Sequence, residues 1–472
     1  MNWKTIFKSL KNRDMSRRLI IMLGIIIAYR FLAHVPVPLA EPTQLKEVIN
    51  SVVGQSDLGG FLNLLSGGAL TSFSIVLVGM SPFITASIIT QLMTKAIPKL
   101  EELHKDGESG RRKINQWTRM IAVPLSIVQS IAFIYILRQT VLAGNTTVLA
   151  DATFIGWVVA VSAMSAGSIL LMWLGELITE QGVGNGISIV IFAGIVSQLP
   201  QTLTTIGTSL FDTSKGQVTH VFNWFTIPIN PTSLMIAVGL AFSSLVILYL
   251  LVKINEAQRI ITINYAKRVH GNSSYGGVKS ILPVKLIAAN VIPIIFAVAF
   301  LSLPAFVGQI LKATANPAYK ELASNLVLWF QTPNPGQFTG STAQAFIYPV
   351  AYFVLVIMFT FFYTGIIFNS NEIAENLQKQ GGFVEGIRPG IQTEKYLSSV
   401  VNRLTLFGSL ALGIIAVMPF AGEYLLYNVS GFSNSKLSIG GTGLLIVVSV
   451  ALESLRQINS RALMVTYDDY KS

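Results

Sequence analysis

Long apolar runs separated by short polar segments recur along the whole chain, and a membrane-spanning helix needs about 20 consecutive, mostly apolar residues. Ten stretches answer that description, near 19–38, 74–94, 117–137, 154–174, 186–206, 233–252, 284–306, 346–368, 399–420 and 440–456. The second differs from the others. From Phe61 to Thr94 the chain reads FLNLLSGGALTSFSIVLVGMSPFITASIITQLMT, and the pairs Gly67, Gly68 and Thr71, Ser72 divide it into a short front piece and a longer back piece. Glycine costs about 1 kcal/mol in a helix interior, and broken helices at membrane depth persist only where they are buried in protein or line a wet cavity. The segment is therefore expected to face a pathway. Ile84 and Ile88 share one helical face four residues apart, with Ser81, Thr85, Ser87 and Thr90 around them, which predicts a narrow apolar constriction.

Ten spans divide into two sets of five, over 1–206 and 207–472. An odd number of helices per repeat turns the second half upside down relative to the first, giving two pseudosymmetric inverted halves. The second half also has an interrupted span, the seventh, where Ile292 and Pro293 stand between Asn290 and Phe296. Proline removes a backbone hydrogen bond, so a kink is predicted there. The two interrupted spans are expected to face each other across a central pathway.

Composition agrees with the pattern. Of 472 residues, 52% are hydrophobic and only 12% charged, and the mean hydropathy is +0.60. These values specify an all-α polytopic membrane protein. Cysteine is absent, which excludes a disulfide scaffold and thiol chemistry. The basic start MNWKTIFKSLKNRDMSRR leads into an apolar run longer than the core of a secretory signal, so that run is expected to be retained as the first span. The net charge of +11 reflects topology rather than nucleic-acid binding: 26 of the 33 Lys and Arg residues fall in the N-terminus, 95–119, 253–285, 379–403 and the C-terminus. By the positive-inside rule these segments, and both termini, are cytoplasmic.

Two of the cytoplasmic loops exceed what a connection needs. In 254–283 the β-branched run Ile260 to Ile263, the turn-rich GNSSYGG and the apolar Val278 to Leu282 predict a β-hairpin. The other, 369–403 with its loop proper at 369–398, holds an amphipathic stretch, the Gly/Pro-rich GGFVEGIRPG and a new helix from about Gln392. Both project basic residues, and a projecting basic loop invites a partner.

No enzyme constellation is present. His34, His104, His220 and His270 are scattered, and there is neither a metalloprotease motif nor a phosphate loop after a strand. No catalytic residue, cofactor or metal is expected. GVGNGIS (182–188) follows a membrane helix and reads as a tight turn into the fifth span. An ion-coupled secondary transporter, the alternative function, needs a carboxylate or polar cage at the midplane. Glu176, Glu180, Glu372 and Glu453 all sit near span ends, and the interiors offer only Gln91, Gln129, Asn290 and hydroxyls. This disfavours coupling; a purely structural scaffold is the third reading.

The block SGGALTSFSIVLVGMSPFITASIITQLM followed by GESGRRKINQWTR (107–119) resembles the SecY family of protein-secretion channels. GVGNGISIVIFAGIV (182–196), NYAKR (264–268), GFVEGIRPG (382–390) and GGTGLLIVV (440–448) resemble it too, in order, so the resemblance covers essentially the whole chain. It implies an hourglass pore between the halves, closed by a short plug helix and able to open sideways to lipid. The family's plug matches Phe61, Leu62, Asn63, Leu64, Leu65, Ser66, Gly67, Gly68, Ala69 and Leu70. Its pore ring matches Ile84, Ile88, Ile187, Ile191, Ile292 and Ile446. Its lateral gate lies between spans two and three on one side and seven and eight on the other, with Thr90, Gln91, Gln129 and Asn290 as polar candidates. Contacts for a motor or ribosome match Arg259, Lys267, Arg268 and Arg388. Many family members carry a second basic residue after the first loop's Arg; here it is Ile260, which bears on the strength of one partner contact. The resemblance implies a bacterial plasma-membrane channel for signal peptides and unfolded secretory chains. Implied partners are the SecE and SecG subunits, the SecA motor ATPase, the ribosome and membrane lipid.

Overall fold

The computed structural model describes residues 13–38, 68–69, 72–144, 154–211, 219–221, 225–227, 231–265, 268–270, 273–275, 279–289, 292–313, 319–330, 346–430 and 436–469. In chain order its helices are α1 (Arg13–Leu32), α2 (Ser81–Ala96), α3 (Pro98–Lys105), α4 (Glu108–Gly144), α5 (Phe154–Gln181), α6 (Gly186–Phe211) and α7 (Pro231–Glu256). They continue with α8 (Ile292–Ala313), α9 (Lys320–Phe330), α10 (Ile347–Ile367), α11 (Ser370–Lys379), α12 (Ile391–Ser430) and α13 (Lys436–Asp469). The strands are β1 (Thr219–Val221), β2 (Phe225–Ile227), β3 (Gln258–Tyr265), β4 (Arg268–His270), β5 (Ser273–Tyr275), β6 (Lys279–Lys285) and β7 (Gly382–Val384). Helices stand at all ten predicted span positions, and six helical stretches among the described residues are long and apolar enough to cross a membrane.

The second span is the shortest of these, 16 residues in α2, or ~24 Å at 1.5 Å per residue. It begins at Ser81 rather than near residue 74, because residues 72–80 form consecutive turns. Their backbone groups are satisfied internally. Val37 N donates to Phe73 O at 2.9 Å, Ile75 N to Val35 O at 3.0 Å, and Val76 N to Ser74 Oγ at 3.1 Å. Ser168 Oγ donates to Gly79 O at 2.8 Å. Phe73, with φ +43°, Ser74 and Val76 are buried. An irregular backbone at this depth is tolerated because protein surrounds it.

The same bonds correct the first span, expected near 19–38. α1 starts six residues earlier and ends at Leu32. Residues 33–37 leave the helix to pair with the turn segment, through the Pro36–Ser74 bridge, since Pro36 and Pro38 bias their preceding residues to extended conformations. The seventh span is corrected as well. Residues 284–285 belong to β6, and α8 opens at Ile292 with Pro293 in its first turn, where a missing N–H costs nothing. The interruption is thus a helix start, not a kink. Two long helices, α4 with 37 residues and α12 with 40, run past the predicted spans. Much of the basic 95–119 segment is helical, as its Lys, Arg, Glu and Gln allow. A further helix, α9, was not foreseen; it packs on α8 with Leu326 Cβ near Gly308.

Close approach of α5 to the turn segment needs the absence of a side chain at Gly167, where a Cβ would collide with the backbone carbonyl of Ile75. Overpacking commonly costs about 1–3 kcal/mol, and backbone cannot move aside as a side chain can. Gly167→Leu is expected to lower the thermal midpoint and yield of the purified protein markedly. Gly207→Ala in α6, where nothing lies within 4 Å, is expected to leave both unchanged. Thermal unfolding followed by size-exclusion fluorescence distinguishes them.

Candidate functional site

All six isoleucines of the expected ring meet in one apolar cluster. Ile84 and Ile88 on α2, Ile191 on α6 and Ile446 on α13 are buried at its centre, while Ile187 on α6 and Ile292 on α8 pack half-buried against it. Four helices thus contribute branched side chains to one extended buried cluster, within which Ile84, Ile191 and Ile446 border the same cavity. Each helix aims its isoleucines for a local reason. On α2 and α6 the pairs are spaced by four and share a face. On α8 Ile292 heads the helix beside Pro293.

Beside the ring lies a cavity of about 70 Å³, bounded by Met80, Ile84, Gln129, Ile191, Ile295 and Ile446 among others. That holds about two waters at their share of liquid volume, in a mostly apolar lining that does not favour them. Of the expected plug, Gly68 and Ala69 are described and the rest lies outside the described residues. Ala69 is fully buried in the same cluster as the ring. Gly68, at φ +88°, has the Gln198 side chain of α6 against it, where any Cβ would collide.

Across the line of the expected gate, α8 packs directly against both α2 and α4, and on its own side it packs against α10. Phe296 of α8 meets Phe359 and Tyr363 of α10 edge-on, with centroids 6.0 and 5.9 Å apart. These aromatics escaped the sequence reading, although their i, i+4 spacing on facing spans was visible. Thr90 is buried and donates back to Ala86 O at 2.7 Å, which spends its proton within α2. Gln91 Nε2 donates to Ser87 Oγ at 3.0 Å, while its buried Oε1 accepts no hydrogen bond from the described residues. Gln129 faces the cavity. Asn290 lies outside the described residues.

The expected hairpin forms from β3 and β6, in register from Gln258 opposite Lys285 to Asn264 opposite Lys279. The second loop joins it: β7 pairs with β3, Val384 opposite Ile263, giving the order β6-β3-β7. One face of this sheet, through Ile261, Val284 and Val384, buries against Leu397, Val400 and Val401 of α12. The two loops are therefore one body. Arg259 on β3 and Arg388 in the turn after β7 are exposed upon it. That turn is fixed by Ile387 N donating to Val384 O at 3.0 Å and Thr393 Oγ1 donating to Arg388 O at 2.9 Å. Gly386 and Gly390, at φ +78° and +96°, supply the left-handed corners. Lys267 lies outside the described residues, and Arg268 stands on β4. On α11, Lys379 lies 2.8 Å from Glu375 and holds its exposed carboxyl below the usual range.

A family model for SecY matches residues 74–455. The protein translocase subunit SecY of Streptomyces coelicolor is 37% identical over 468 residues, covering 98% of each chain. Among solved structures, one described as a protein-conducting channel aligns with a TM-score of 0.61 at 17% identity, over 93% of this chain and 91% of that one. The channel of the canine ribosome-channel complex from the endoplasmic reticulum aligns with a TM-score of 0.56 at 16% identity and the same coverages.

If the isoleucine cluster is the seal, replacing Ile84 together with Ile187 by Gly removes its bulk while the helices remain held by their other contacts. Bilayer conductance of the reconstituted double variant is expected to rise well above that of the parent. A leak equal to the parent's would remove the ring from its assigned place.

Proposed function

The chain belongs to the SecY family, and from that premise we propose that it is the pore-forming subunit of a protein-conducting channel, passing unfolded secretory chains and releasing apolar segments sideways into lipid. The observation that carries this reading is the convergence of six isoleucines from four helices on one closed apolar cluster. Branched apolar side chains make few polar contacts, so they fit around any passing sequence and hinder ions by dewetting. The residues around Ala69 stopper the ring at rest, and separation of α8 and α10 from α2 and α4 opens the side exit.

The halves 1–206 and 207–472 act as the two jaws of this exit, with both termini and the three-stranded sheet in the cytosol of a bacterial plasma membrane. A channel of this kind needs an external push. Exposed Arg259 and Arg388, on a sheet anchored to α12, support docking of a translating ribosome or the SecA motor ATPase. A ribosome is the partner of one structurally similar channel. SecE and SecG complete the membrane assembly. Transport of an unfolded precursor into vesicles holding the chain with these subunits tests the function as a whole.

Arg388 tests the docking surface. Pro389 biases it toward an extended backbone and the turn holds its carbonyl, so the guanidinium is presented outward as a planar five-donor fork that Lys does not reproduce. Arg388→Glu is expected to reduce partner affinity and precursor transport by about tenfold or more, a loss typical of reversing a contact charge. Arg388→Lys is expected to recover only part, and neither is expected to alter resting ion leak. Full transport by the Glu variant would exclude the contact.

A further inference from the structure

The cytoplasmic hairpin rises from two roots. Asn255, near the end of α7, stands just before β3, and Lys285 closes β6 ahead of α8. Leu286 N donates to Ala257 O at 2.9 Å, closing the base beyond the strand pairing. The first root meets α13. Arg456 Nη1 donates to Asn255 Oδ1 at 3.0 Å and its Nη2 to Asn255 O at 2.7 Å, so the guanidinium fork grips side chain and backbone of one buried residue. Lys285 stands in the field of the same helix: burial and Arg456 lower its pKa, and Glu453 opposes them. Glu453 Oε2 is buried and accepts no hydrogen bond from the described residues.

On α13 the positions Ile446, Val450 and Glu453 follow one another at four and three residues, along one face. Ile446 belongs to the ring, and Glu453 lies seven residues on, about two turns or ~10.5 Å along the axis. A stiff helix thus holds the Asn255 root of the hairpin near one end of this face and a side chain of the expected ring at the other. We propose that Arg456 is a positioning residue that couples the docking hairpin to the ring, so that load on the hairpin shifts α13 and with it Ile446. The proposal rests on the reading that the hairpin docks a cytosolic partner. It assigns the ring a direct line to that surface, distinct from separation of the gate helices. Arginine is required at position 456 because one flat fork reaches two acceptors at once; a lysine ammonium is a single point charge.

The chain has no cysteine, so Ile446→Cys is a clean reporter. The reconstituted complex carrying it is treated with a thiol reagent, with and without SecA held docked by a non-hydrolysable ATP analogue, and SecA affinity is measured in parallel. Docking is expected to change the labelling rate. Adding Arg456→Lys is expected to leave SecA affinity unchanged and to shrink the docking-induced change by about fivefold or more, within the usual range of coupling between sites. Asn255→Asp, which keeps the acceptor oxygens, is expected to retain the response, a distinction that a merely structural role would not produce. Asn255→Ala, which removes the side-chain acceptor and leaves the backbone one, is expected to diminish the response and decides the matter should the Arg456 variant not assemble. A full response in Arg456→Lys, or none in the parent despite bound SecA, would overturn the coupling. Failure of SecA to bind the parent would instead overturn the docking reading.

Discussion

An unpaired backbone amide in hydrocarbon costs several kcal/mol, and the architecture of this chain follows from how it meets that constraint where its second span is broken. Residues 72–80 carry no helix of their own, yet their amides and carbonyls find Val35, Val37 and Ser168. The first span ends early for the same reason, its last residues being withdrawn from the helix to serve as partners. α5 can supply Ser168 only because Gly167 lets its backbone come close. Shortening α2 to 16 residues in turn sets where Ile84 and Ile88 stand along the axis, and so where the ring forms.

The proposed ring works through what it lacks. Its isoleucines offer no hydrogen bonds, and the adjoining 70 Å³ cavity is lined mainly by apolar groups that do not favour water. Polar side chains nearby are largely turned inward on their own helices, Thr90 onto Ala86 and Thr94 onto Thr90. The seam between α8 and α2 is therefore held mainly by packing. Packing contacts are numerous and individually weak, which suits a joint that must part without breaking strong directional bonds.

The side that carries the three-stranded sheet is built on the opposite principle. Arg456 grips Asn255, Arg119 Nε lies 2.6 Å from Glu176 Oε1 between α4 and α5, and Arg18 Nη1 donates to Gln181 O at 3.2 Å. Directional, charged contacts tie the helix ends together, and the three-stranded sheet buries one face on α12. A surface that receives force has to be rigid, and such bonds fix geometry better than dispersion does.

Spans, the broken second helix and the hairpin were legible in the sequence because each follows from local chemistry: hydropathy over about 20 residues, glycine punctuation, and β-branched runs flanking a turn. The isoleucine pair on α2 was legible too, since spacing of four defines a helix face whatever surrounds it, whereas Ile187 and Ile191 on α6 came only from the family resemblance. Pro293 was misplaced because proline fits either a kink or a first turn, and only the pairing of Lys285 with Gln258 decided that the helix had not yet begun. Likewise no local signal told Gly382–Val384 that β3 would be its neighbour more than a hundred residues upstream, or told Arg456 that Asn255 would be its acceptor. Sequence determined which segments enter the membrane and which faces are apolar, because those are properties of neighbours along the chain. Which faces meet, where each helix starts, and how the base of the hairpin meets α13 were decided by tertiary structure, where distant backbone groups competed for the same few partners.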